Sequence, residues 1–257
     1  MAINALDFVG GEVIAVDKPL GWTGFGAVKR LRGVLQRRPG LKKFKVGHAG
    51  TLDPLATGVL LVCTGKATKR IDTLQAGEKE YVADMRIGAT TPSFDLETEI
   101  DATYPSDHVC KEMIEGILPD FTGHIMQVPP VFSAVKIDGK RAYKFARKGE
   151  APELDAKPLH IKELELLDFD GETIRLRIVC SKGTYIRALA RDIGQALGCG
   201  AHLTALRRTR VGDFRAEECL SLDQAVELIR TAEIVNNQPP RDGDNINHRS
   251  PRVGDNI

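Results

Sequence analysis

The sequence predicts an α+β fold built on a central mixed, mostly antiparallel β-sheet flanked by helices and loops. Tyr81, Ala83, Met85 and Ile87 alternate with Val82, Asp84 and Arg86, and Ile174, Leu176, Ile178 and Cys180 alternate with Arg175 and Arg177. That is the two-residue period of strands with unlike faces. Helical stripes stand between such segments, but without the regular βαβ order of a doubly wound sheet.

Taken in order, Glu12 to Val16 reads as a strand that runs into the loop Lys18-Pro19-Leu20-Gly21-Trp22. Thr23 then caps a helix whose apolar face is Phe25, Val28, Leu31 and Leu35. Val59 to Cys63 is a short buried strand, followed by the alternating Tyr81 segment. Ser106 is expected to cap a helix carrying Val109, Ile114, Ile117 and Leu118. Gln127 to Lys136, with Pro129 and Pro130, reads as an ordered loop entering a strand, and Ile161 to Asp168 as another strand. After the alternating Ile174 segment, the loop Ser181 to Thr184 caps a helix with Ile186, Leu189, Ala190, Ile193 and Leu197 on one face, stopped by Gly198. Ser221 and Gln224 form a capping box before a last short helix. Residues 1–235 are read as one catalytic domain. From Asn236 the composition turns to Asn, Asp, Arg, Pro and Gly, with Gly-Asp-Asn-Ile twice, and 236–257 is expected to be a disordered tail.

The formal charge of +1, from 36 basic and 35 acidic residues, conceals segregation. Between Lys18 and Leu52 there is no acid, while Lys29, Arg30, Arg32, Arg37, Arg38, Lys42, Lys43 and Lys45 accumulate. Further basic clusters are Lys140, Arg141, Lys144 and Arg147, and then Arg207, Arg208 and Arg210. Such clusters point to a polyanionic partner. Five cysteines without a Cys-x-x-Cys pair argue against a disulfide framework and a cysteine zinc site. With no secretory signal and no membrane-length apolar run, the expected compartment is the cytoplasm.

At the end of the acid-free run stands Gly47-His48-Ala49-Gly50-Thr51-Leu52-Asp53-Pro54-Leu55-Ala56-Thr57-Gly58. Asp53 before Pro54, with Gly58 beyond, suits a short helical turn with Asp as N-cap. The same small-residue setting suits an acid presented to a ligand as nucleophile or base. Tyr185 and Arg187 open a helix, where Arg187 is either exposed or paired with a carboxylate that it orients. Tyr81 in its strand is either core or a residue that stacks on a base or handles a proton. His48 has no His, Asp or Glu at ligand spacing nearby, so no metal is assigned.

These residues closely resemble the catalytic motif of the bacterial tRNA pseudouridine synthase B family. Companion motifs stand in the same order: Asp17 to Thr23, Lys79-Glu80-Tyr81, Gln127 to Pro130 through Ser133 to Lys136, Gly183 to Arg187, and His202 to Thr209. The resemblance runs from about Glu12 to Phe214 and implies a pseudouridine synthase fold. It also implies an enzyme that isomerises the T-loop uridine of tRNA, U55, without cofactor or metal, by flipping the base. Asp53 would be the nucleophile, attacking C1′ or C6. Arg187 would pair with it, and Tyr81 would stack on the uracil and help remove the C5 proton. Tyr185 and Leu206 would line the pocket, His48 would hold the loop nucleotides, and Lys18 would join the substrate-binding set. Gly24 stands where the first motif usually carries Ser. The residues after Val235 leave no room for the PUA-type RNA-binding domain that many members add. That makes tRNA the expected partner, with no obligatory guide RNA, protein partner or membrane.

Two other classes remain to be weighed. A tRNA-binding or folding module without catalysis would have no need of Asp53, Tyr81 and Arg187 together. A glycoside or nucleoside hydrolase would need a second acid beside Asp53, and no motif provides one.

Overall fold

The structure, a computed structural model, describes residues 5–41, 45–133, 136–137, 140–142, 145 and 152–234. The expected tail from Asn236 lies outside them, as do Ala134 and Val135 of the proline-bearing loop. A ten-stranded sheet organises the chain. Its strands are β1 Val13–Lys18, β2 Val46–Ala49, β3 Ala56–Thr64, β4 Lys79–Ile87, β5 Gly123–Gln127, β6 Lys157–Phe169, β7 Thr173–Cys180, β8 Ala201–Val211, β9 Phe214–Arg215 and β10 Leu220–Ser221. The order across the sheet is β10-β1-β3-β8-β4-β7-β6-β5, with β2 beside β3 and β9 beside β8. The pairs β1–β10 and β3–β8 are parallel and the others antiparallel, so the sheet is mixed and mostly antiparallel as expected.

Among the described residues, five α-helices flank it: α1 Gly24–Leu35, α2 Ile71–Ala76, α3 Lys111–Ile117, α4 Ile186–Ala196 and α5 Leu222–Thr231. The apolar face of α4, with Ile186, Leu189, Ala190 and Ile193, closes over Tyr81, Ala83 and Met85 of β4 and Ile174, Leu176 and Ile178 of β7. Helices α1 and α5 cover Ile14 and Val16 of β1 and Leu60 and Val62 of β3. On the other side of β3, Val59 and Leu61 meet Ala49, Val211 and Ala216. Both faces of β3 are therefore buried, which explains its unbroken apolar run.

Several expectations need correction. Phe25 is 63% exposed, because the buried stripe of α1 runs through Gly24, Ala27, Val28, Leu31 and Leu35 instead. Ser106 does not cap α3; its carbonyl closes a turn with the Val109 amide, and the helix begins after Cys110. Thr184 is not the cap of α4 either. Its hydroxyl bonds the Ser181 carbonyl, and Tyr185 occupies the cap position. Thr23 and Ser221 cap their helices as read. The strands β2, β5 and β8 lack an apolar alternation and had no counterpart among the sequence-read strands.

Candidate active site

Asp53 does not begin a helical turn. The Ala56 amide donates to the Asp53 carbonyl at 3.1 Å, a β-turn that leads straight into β3. Gly58 lies inside the strand, between β1 and β8, with φ at +101°. A Cβ there would sit 2.1 Å from the Arg208 carbonyl oxygen, so only glycine lets β8 approach this closely.

Two buried cations hold the loop that carries Asp53. Arg208, on β8, donates from Nε to Val59 O at 2.8 Å, from Nη1 to Thr51 O at 3.2 Å and from Nη2 to Gly50 O at 3.1 Å. Lys18 has no exposed surface, and its Nζ donates to Pro19 O, Trp22 O and Pro54 O. The Gly21 amide also reaches Pro54 O. Lys18, expected among the substrate-binding residues, is thus turned inward and fixes the turn beside Asp53. Burial lowers its pKa to about 8, and the Asp53 charge opposes part of that drop.

Arg187 opens α4 with its side chain 5% exposed. Its Nε lies 2.9 Å from Asp53 Oδ2 and 3.6 Å from Asp95 Oδ2, while Nη1 donates to Ser93 O at 3.0 Å and Nη2 to Phe132 O at 2.8 Å. Arg187 is therefore fixed from four directions, and Asp53, 37% exposed at the side chain, is the partner that faces outward. Gln127 sets the start of α4, accepting from the Tyr185 amide at 2.9 Å and donating to the Tyr185 carbonyl at 3.2 Å.

Sequence reasoning passed over Asp95. It is nearly buried, and its backbone carbonyl accepts from Thr91 Oγ1 and Ser93 Oγ. Phe94 before it has φ at +62°, the one non-glycine residue in the left-handed region among those described. The second acid that no motif offered is thus supplied by the fold. It stands behind Arg187 and does not line the larger cavity that Asp53 faces, though it shares a small cleft with Asp53, Arg187 and Leu206.

That cavity, of about 390 Å³, is lined by His48, Asp53, Lys79, Tyr81, Lys182, Tyr185, Arg187, Leu206 and Arg208 among others. Six of the seven sequence-selected site residues therefore converge on one space; Lys18 lies beneath it. Burial raises the Tyr81 phenol above its ordinary pKa, with the Arg208 guanidinium pulling the other way. Tyr185 is raised by burial as well. Burial lowers His48 below its ordinary pKa, and the Arg208 guanidinium reinforces this. Gly24 packs beside His48: a Cβ would lie 3.6 Å from His48 Nε2, an ordinary contact.

The third basic cluster proves to be partnered within the protein. Arg208 is buried on carbonyls, Arg207 pairs with Asp17 and Arg210 with Glu78. Those three are not a free anion surface, because the fold supplies each with its own partner. The side chains of Lys140, Arg141, Lys144 and Arg147 lie outside the described residues.

Residues 37–186 match the TruB family pseudouridylate synthase N-terminal domain, and residues 187–238 match the tRNA pseudouridylate synthase B C-terminal domain. The chain belongs to the TruB family. The tRNA pseudouridine synthase B of Phocaeicola vulgatus is 61% identical over 229 residues, covering 89% of this chain and 97% of that protein. That of Bacteroides thetaiotaomicron is 61% identical over 237 residues, covering 91% and 99%. Among solved structures, a Cbf5-Nop10-Gar1 complex aligns with a TM-score of 0.65 at 32% identity, covering 86% of this chain and 54% of that one. The chain thus spans about half the length of the solved chain it matches. These relationships make the chain a tRNA pseudouridine synthase, an enzyme that converts uridine in tRNA to pseudouridine. The boundary between the two family matches falls within α4 at Arg187, yet β8 from the second part pairs with β3 and β4 of the first.

Proposed function

We propose that the enzyme isomerises the T-loop uridine at position 55 of tRNA, with Asp53 as the nucleophile. The observation that carries this reading is the outward-facing Asp53 carboxylate fixed by a buried arginine, itself anchored on two backbone carbonyls, at the wall of a cavity. The C1′–N1 bond breaks, the uracil turns in place, a C1′–C5 bond forms, and C5 loses the proton that N1 regains. Asp53 attacks either C1′ or C6, and both routes need the carboxylate held still while the base is detached. Arg187 does this holding.

The target base must leave its stack to arrive here, at a cost on the order of a few kcal/mol. Tyr81 stacks on the extruded ring. Because burial keeps its phenol neutral, it relays the C5 proton rather than waiting as a phenolate. Leu206 and Tyr185 provide apolar wall that keeps water from the detached base. His48 packs against the loop nucleotides. The enzyme acts on tRNA in the cytoplasm without a guide RNA or protein partner.

The test uses a tRNA transcript tritiated at uridine C5. Release by the purified chain alone, abolished when uridine 55 is replaced by cytidine, is the expected result. Undiminished release from the cytidine-bearing transcript would overturn the assignment of position 55.

A further inference from the structure

Four cationic side chains line the cavity: Lys79, Lys182, Arg187 and Arg208. Three are occupied by the protein itself. Arg208 bonds three backbone carbonyls, Arg187 bonds two carboxylates and two carbonyls, and Lys79, nearly buried, donates to the carbonyls of Gln75 and Gly77. Lys182 is exposed and makes no hydrogen bond or ion pair with any described residue. It is the one cavity-lining cation, among those described, left for a ligand.

Its backbone is nonetheless well fixed. The Ser181 amide donates to His160 O at 2.9 Å, and Ser181 Oγ accepts from the His160 amide at 3.0 Å. Thr184 Oγ1 closes the turn onto Ser181 O at 3.1 Å, and Gln127 clamps Tyr185 next to it. Gly183, at φ +87°, has open space where a side chain would begin. A free ammonium is therefore presented at the rim by an anchored turn, beside open space.

We propose that Lys182 binds a phosphate group flanking the extruded uridine. This rests on the uridine reading of the site. A nucleotide flipped about its backbone brings its own 5′ or 3′ phosphate to the cavity rim, where Asp53 repels it. A lysine, as a compact point charge, offsets that repulsion without demanding one fixed geometry.

The test is a double-mutant cycle on binding. Full-length tRNA is ligated with a neutral methylphosphonate replacing the phosphate 5′ or 3′ of uridine 55, and affinities are measured for wild type, Lys182→Gln and Lys182→Arg. Lys182→Gln should weaken binding of unmodified tRNA about tenfold, the usual size of a charge-assisted bond. Lys182→Arg should recover most of the loss. With the neutral linkage at the contacted phosphate, Lys182→Gln should cost nothing further. Losses that multiply at both positions, or unchanged affinity of Lys182→Gln, would overturn the proposal. Tritium release from the unmodified tRNA by the wild type is read in parallel. Its absence would sink the uridine reading, while the binding cycle still decides whether Lys182 meets a phosphate.

Discussion

Arg187 and Asp53, from the start of a helix and a turn before a strand, meet at 2.9 Å, and each of the arginine's two Nη nitrogens donates to a backbone carbonyl. The carboxylate proposed as nucleophile is thus oriented by a residue that is itself held in place by the protein. Preorganisation of this kind concentrates the effect of a substitution on turnover rather than on RNA affinity.

Arg187→Lys keeps the charge but loses the fork that reaches Asp53, Asp95, Ser93 and Phe132 at once. Single-turnover isomerisation should fall about a hundredfold, with tRNA affinity changed only a few-fold. A loss mainly in affinity would make Arg187 an RNA contact instead.

Asp95→Asn removes the second carboxylate behind Arg187 without touching the lining of the larger cavity. The arginine then loses one of its anchors, and the rate should drop roughly ten- to a hundredfold at near-normal tRNA affinity. A wild-type rate for this variant would show that Asp53 and the two carbonyls suffice to hold Arg187.

Gly58→Ala places a methyl group 2.1 Å from the backbone oxygen of Arg208, at a φ that disfavours alanine. The strand pairing β3–β8 must then open. Denaturant unfolding should show a loss of about 3 kcal/mol or more, or the protein should fail to accumulate folded. A change below about 1 kcal/mol would contradict the close approach of the two strands.

Lys18 gives a pH signature of defined sign. Its pKa, lowered to about 8 from 10.5, means that between those values the unfolded chain binds more protons than the folded one. Stability therefore gains from this residue as pH rises through that window, by up to about 3 kcal/mol, and the penalty is constant below it. Lys18→Met should flatten the rise of unfolding free energy between pH 8 and 10, leaving the matching contribution of Lys79, also lowered to about 8, in place. Identical slopes for variant and wild type would contradict a buried ammonium.

What the sequence made legible follows from how each side chain is satisfied. Strands β4 and β7 announce themselves because one face packs under α4 and the other is charged. Strand β8 does not, since its Arg207, Arg208 and Arg210 look like surface and find their partners only in the folded sheet, on Asp17, on three carbonyls and on Glu78. The motif around Asp53 carries a fixed order of residue types, so most of the cavity lining could be named in advance. Asp95 could not, because its significance lies in meeting Arg187 across the fold. Lys18, expected in the substrate-binding set, donates to carbonyls beneath the loop, and a sequence motif does not tell which way an ammonium faces.

The most direct measurement compares wild type and Asp53→Asn for tritium release from uridine C5 under single-turnover conditions, with tRNA binding followed in the same samples. The expected result is full release by wild type and none by Asp53→Asn, which still binds tRNA with near-normal affinity. Substantial release by Asp53→Asn would contradict the nucleophilic role on which this account rests.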